Sequence, residues 1–165
     1  MNLRSLSLLA AVLLLAACAE NPSSTSGTGA NAAASNPTPT TSASGIQPGS
    51  AQDFVQNVGD RVFFDFDKSD IKPEGRQILQ RQADWLKKYP NVTVTVEGHC
   101  DERGTREYNL ALGERRASAV KKILVALGVP ANRVSTISYG KERPAVVGSN
   151  EAAWAQNRRG VTVIN

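Results

Sequence analysis

The 165-residue chain has few of the residues that build metal and thiol chemistry, with two cysteines and one histidine. A zinc site takes three or four ligands from separated positions. His99, beside Cys100 and Asp101, has no second His or Cys within residues 53–165 to complete such a set. Adjacent residues leaving a strand point in different directions, which also argues against a catalytic trio there. The fifteen acids contain no pair that stands out as a glycosidase acid and base. No enzyme, metal or cofactor is therefore expected. A long hydrophobic run is also missing: the apolar stretch from Leu6 to Leu14 falls short of the ~20 residues that span a bilayer. Charge is scarce at one end, since of 19 Lys and Arg and 15 Asp and Glu only Arg4 and Glu20 precede residue 53. Beyond that point the signs are interspersed and no polybasic arm occurs. A pI near 9.3 thus suits solubility or an acidic polymer better than nucleic acid.

What is present at the amino end is a single positive charge followed by a short apolar segment, the pattern of a signal peptide, expected over residues 1–17. It closes on Leu15-Ala16-Ala17-Cys18, which resembles the lipobox of bacterial lipoproteins, where cleavage occurs just before a cysteine carrying a diacylglyceryl group. Cys18 is expected to begin the mature chain with N-acyl and S-diacylglycerol lipid. One acyl chain binds membranes only marginally, at about 0.8 kcal/mol per buried CH₂, whereas two or more anchor stably. In that family an aspartate after the cysteine commonly retains a lipoprotein in the inner membrane. Ala19 stands there instead, so the outer membrane is expected, with the domain facing the periplasm and no nucleic acid as partner.

After Cys18 the chain to residue 52 is rich in Ser, Thr, Ala, Gly, Asn and Pro and cannot bury enough apolar surface to fold. As a flexible tether it spans on the order of 30 Å, or about 110 Å fully extended. Residues 53–165 are one domain of ordinary size. Within it, Arg61–Phe66 reads as a strand. Pro73 opens a helix whose apolar residues recur at helical spacing through Ile78, Leu79, Trp85, Leu86 and Tyr89 up to Pro90. Val92, Val94 and Val96 alternate with polar residues as a half-buried strand ended by Gly98. A longer helix begins near Tyr108, with a stripe at Leu110, Gly113, Ala117, Val120, Leu124 and Leu127. A strand at 134–139, a short helix at 152–157 and a strand at 160–164 follow. The expected fold is α/β: a two-layer sandwich of a mixed, mostly crossover-connected four-stranded sheet with helices packed on it.

The segment from Glu97 to Thr105 joins a strand end to the long helix, where ligand sites concentrate, although a D-E-R-G run also suits an ordinary solvated turn. On that helix, about 100° per residue puts Arg115 opposite the apolar stripe and Arg116 about 60° from its centre. Arg116 is therefore expected at the rim of the buried face, needing a carboxylate partner, internal or belonging to a ligand. Cys100, without an intramolecular partner if Cys18 is lipidated, reads as a small buried residue or as a redox or dimer-forming thiol.

Five ordered motifs go further: Phe63-Phe64-Asp65-Phe66-Asp67-Lys68-Ser69-Asp70-Ile71, Val96-Glu97-Gly98-His99 with Asp101-Glu102-Arg103-Gly104-Thr105, Leu112-Gly113-Glu114-Arg115-Arg116-Ala117, Ser138-Tyr139-Gly140-Lys141-Glu142-Arg143-Pro144 and Asn157-Arg158-Arg159. From about residue 54 onward they resemble the OmpA-like peptidoglycan-binding domain, and with the lipobox and tether the whole chain resembles the peptidoglycan-associated lipoproteins of the Tol-Pal system. The resemblance implies that Asp101 and Arg116 grip diaminopimelate of the peptidoglycan stem peptide, the acid reading its ammonium and the arginine its carboxylate. Asp65, Phe66 and Asp67 would form a further wall, supplying backbone amides and apolar surface. Relatives usually carry Thr or Ala where Cys100 stands. The resemblance also implies docking of TolB on an overlapping face and a part in outer-membrane constriction at division; a module that chiefly docks TolB and binds the wall weakly is the alternative.

Overall fold

The computed structural model describes residues 45–165. The segment expected to be a signal peptide, Cys18 and the tether as far as residue 44 lie outside the described residues. The amide of Ser50 donates to the Gln47 carbonyl, and its hydroxyl caps helix α1 (Ala51–Asp53) by accepting from the Asp53 amide. This helix continues as a π turn, Phe54–Val58, and Phe54 packs edge-on to Trp85 at 4.9 Å. The first described helix thus begins at Ala51, two residues before position 53.

Strand β1 is Arg61–Phe63, shorter than the 61–66 expected. The Phe64 amide still donates to the Arg158 carbonyl, but the chain then turns through Asp67, which adopts φ 56°. Helix α2 is Pro73–Lys88, with proline in its first turn. Strand β2, Val94–His99, passes Gly98 by one residue with a register shift there. Helix α3 is Arg106–Ala126, capped by the Thr105 hydroxyl. A 3₁₀ turn at Ala131–Arg133 leads into β3, Val134–Gly140. Helix α4, Glu151–Asn157, and strand β4, Arg159–Ile164, complete the fold.

The sheet order is β1-β4-β2-β3. Strand β4 runs antiparallel to both neighbours, while β2 and β3 are parallel, giving the mixed sheet expected. Helix α3 crosses between the parallel pair. The core joins Val62, Val94 and Val96 of the sheet to Leu79, Ala83 and Leu86 of α2 and Ala117, Val120 and Leu124 of α3. One position of the expected stripe is corrected: Leu110 is exposed, and Leu112 is buried instead. The helix closes on β2 at two glycines. A Cβ on Gly98 would stand 1.8 Å from the Gly113 carbonyl oxygen, so the backbones meet where no side chain fits. This contact places the first turns of α3 beside the carboxyl end of β2.

Candidate functional site at the carboxyl end of strand β2

Past β2, the Cys100 amide donates to the Gly140 carbonyl, so the loop leaves the sheet held to β3. The Asn109 side chain donates to the carbonyls of Arg103 and Thr105, and Lys141 Nζ to those of Glu102 and Gly104. Gly104 turns the chain at φ 89°. A loop fixed from three sides surrounds a cavity of about 150 Å³ lined by Phe66, Asp67, Cys100, Asp101, Arg103, Gly104, Tyr108, Asn109, Leu112 and Arg116.

Asp101 is 4% exposed, and its carboxylate accepts four hydrogen bonds. Arg103 supplies three, from its amide (3.1 Å), Nε (3.1 Å) and Nη2 (2.6 Å). Arg158 Nη1 supplies the fourth at 3.4 Å. Burial alone would raise the Asp101 pKa, but the bonds from Arg103, aided by Arg158, hold it below the usual carboxylate range.

Arg116 departs from the rim position expected. It is fully buried, and its partners are carbonyls rather than a carboxylate: Nε donates to Lys68 (2.9 Å), Nη1 to His99 (2.8 Å) and Nη2 to Asp65 (3.1 Å). The 100° rule locates a side chain on a helix but not the loop that folds over it, and here the 65–68 turn covers the rim. A guanidinium has five N–H groups; these three bonds leave one hydrogen on each terminal nitrogen. Burial lowers the Arg116 pKa, and a guanidinium stays charged regardless.

The structure thus brings Asp101, Arg116, Phe66 and Asp67 to one cavity and leaves Asp65 outside its lining. Asp65 contributes its carbonyl to Arg116, and its exposed carboxylate pairs with Lys72 at 2.5 Å. The Tyr108 hydroxyl donates to Asp67, joining α3 to the turn. Sequence reasoning missed Arg103, whose guanidinium lies 4.0 Å from the ring centroids of both Phe66 and Trp154. Its place two residues after Asp101 was the available signal. Cys100 is buried, its thiol donates to the Asn109 carbonyl (3.3 Å), and burial raises its pKa, as for an inert small core residue.

Among the described residues no cluster of three His, Cys, Asp or Glu could hold a metal, and no helix is long and apolar enough to cross a membrane. The OmpA family model matches residues 63–158, which runs from the last residue of β1 through the cavity to Arg158. The chain belongs to the OmpA family. Within that family it is similar to peptidoglycan-associated lipoproteins: 52% identical over 159 residues to that of Rhizobium meliloti, covering 94% of this chain and 84% of the relative. The Agrobacterium fabrum protein is 62% identical over 71% of this chain and 66% of its own length, just under two-thirds. Among solved structures, the peptidoglycan-associated lipoprotein of Burkholderia pseudomallei aligns with TM-score 0.63 and 44% identity over 64% of this chain and 90% of that one. The C-terminal domain of Helicobacter pylori MotB aligns with TM-score 0.60 and 25% identity, over 64% and 84%. Membership of this OmpA-family group of lipoproteins makes the chain a structural protein, not an enzyme.

Proposed function

We propose that the chain is an outer-membrane lipoprotein whose OmpA-family domain binds peptidoglycan non-covalently, through the free zwitterionic end of diaminopimelate in the stem peptide. The observation that carries this reading is the charge arrangement of the β2 cavity. Two acids, Asp67 and Asp101, and two arginines, Arg103 and Arg116, line one small space beside Phe66. Their formal charges cancel, so a ligand carrying one ammonium and one carboxylate enters without leaving a net buried charge. Asp101 faces the ammonium, and the two spare hydrogens of Arg116 face the carboxylate. Each charged hydrogen bond in such a site contributes about 1.5–3 kcal/mol.

The names of the relatives support a wall-associated lipoprotein. Lipid on Cys18 and a tether to about residue 52 then make the chain a link between outer membrane and wall, working in the Tol-Pal system and during constriction at division. Docking of TolB belongs to the same reading and rests on the resemblance of the motifs.

Sedimentation with purified sacculi tests the site. Asp101→Ala is expected to stay in the supernatant, and its co-sedimentation at the unmodified level would remove Asp101 from the site. Arg116 holds three carbonyls, so its role is better tested from the ligand. Amidating the carboxylate on the zwitterionic side-chain end of diaminopimelate in a tripeptide is expected to weaken binding at least tenfold; equal affinity would remove Arg116. TolB binding is measured separately, with the tripeptide as competitor, and an overlapping face predicts mutual exclusion.

A further inference from the structure

Asp101 has no acceptor site left for a ligand. A carboxylate offers about four lone-pair positions, and its four hydrogen bonds occupy them, three of these from Arg103. Arg103 is also the more solvent-facing of the pair, with a side chain 31% exposed against 5% for Asp101. The aromatic rings of Phe66 and Trp154, each with its centroid 4.0 Å from the guanidinium carbon, add cation–π attraction. Only one residue of chain separates Arg103 from Asp101, so its effective concentration at that carboxylate is high.

Resting on the assignment of Asp101 to the ligand's ammonium, we propose that Arg103 is the specificity-determining residue of the site, standing in for that ammonium when the cavity is empty. Ligand entry exchanges the Nε and Nη2 bonds of Arg103 for bonds from the ammonium. The exchange leaves a freed guanidinium that needs a new anion. A zwitterionic end supplies one in its own carboxylate, which then lies between Arg103 and the spare hydrogens of Arg116. A simple alkylammonium, such as a lysine side chain, supplies none and would leave Arg103 only the exposed carboxylates of Asp67, Glu102 and Glu151, which water screens, beside Arg116 and Arg158. Arg103 thereby selects for an amino-acid end and against a plain amine through a charge that only the right ligand neutralises.

The test is isothermal titration of the whole domain with two tripeptides that differ only at the third residue, meso-diaminopimelate in one and lysine in the other. The unmodified protein is expected to prefer the first. In Arg103→Met the preference is expected to fall at least tenfold, chiefly because the lysine peptide gains affinity. Arg103→Lys, which keeps a cation but loses the planar fork, gives an intermediate ratio. An unchanged ratio, or one that falls only because the diaminopimelate peptide weakens, overturns the proposal while leaving the site assignment standing. If the unmodified protein binds neither peptide, the assignment fails first. A second readout is spectroscopic. Saturation with the diaminopimelate peptide is expected to shift tryptophan emission as Arg103 leaves Trp154, a shift absent from Arg103→Met and from Trp154→Phe. The same shift in Arg103→Met would count against displacement.

Discussion

His99 illustrates what burial does to a single group. The ring is 2% exposed, its Nδ1 has no hydrogen-bond partner, and Nε2 lies 3.3 Å from Glu97. Burial, reinforced by the nearby Arg159, Arg143 and Arg61 charges, lowers its pKa from 6.5 to about 4. The folded state therefore holds a neutral ring where the unfolded chain takes up a proton. Stability from this group is complete above pH 6.5 and is lost as pH falls towards 4. The loss is on the order of 2 kcal/mol across that window. Denaturant titrations at pH 7 and pH 4.5 measure it: His99→Phe is expected to lose less stability between the two than the unmodified protein. Equal losses would locate the acid sensitivity elsewhere. Asp101 has the same sign at lower pH, since a depressed carboxylate pKa withdraws stability only below the ordinary carboxylate range.

At the scale of elements, two joints hold the layers in place. At Gly98 and Gly113 the backbones of β2 and α3 touch, and a methyl group on either residue must push the helix off the sheet. A Cβ on Gly113 would stand 2.2 Å from Ser138 Oγ and 2.9 Å from the Gly98 carbonyl oxygen. Gly98→Ala meets backbone and is expected to cost more than Gly113→Ala, which first meets a rotatable hydroxyl. Overpacking of this kind costs typically 1–3 kcal/mol and sometimes more, so Gly98→Ala is placed at or above about 3 kcal/mol by chemical denaturation. A smaller loss for Gly98→Ala than for Gly113→Ala would contradict the geometry. The second joint is Arg133, whose Nε donates to the Val92 carbonyl and whose Nη2 donates to those of Leu86 and Tyr89. It satisfies the Leu86 carbonyl, which Pro90 cannot reach for want of an N–H, adds a second donor to the Tyr89 carbonyl, and ties the end of α2 to the start of β3. Arg133→Ala is expected to lower the melting temperature by an amount corresponding to about 2–3 kcal/mol, while Arg133→Lys restores only part, lacking the fork.

For the whole molecule, the proposed function assigns attachment to Cys18 and binding to the OmpA-family domain. The core and the cavity described above are built from residues within 45–165, so a protein of those residues alone is expected to melt within about 2 °C of the unlipidated full chain and to pellet equally with sacculi. It should leave lipid vesicles unbound, whereas the lipidated chain floats with them. A substantially lower melting temperature would show that earlier residues stabilise the domain. The modest basic excess, +4 overall, acts at this scale as a solubilising charge.

How much of this was legible follows from the physics of each signal. Local periodicity reported α2 from Pro73 to its last turn and the inward valines of β2, because both patterns repeat within the element that they describe. It placed Leu110 in the core in error, because steps of three and four set a side chain's angle around the helix but not which neighbour that position meets. Motif resemblance named Asp101, Arg116, Asp65, Phe66 and Asp67, and all but Asp65 line one cavity. It did not report that Arg116 is spent largely on the carbonyls of Lys68, His99 and Asp65, nor that Arg103 already occupies Asp101. The sequence by itself determined the order of elements, the charge-poor amino end and the residue types available to the site, since these depend on composition and short-range spacing. Only the tertiary structure decided which charges are already paired, because partners such as Asp101 and Arg158, or Arg116 and Asp65, are brought together by chain closure over roughly fifty residues, a distance that no local pattern encodes.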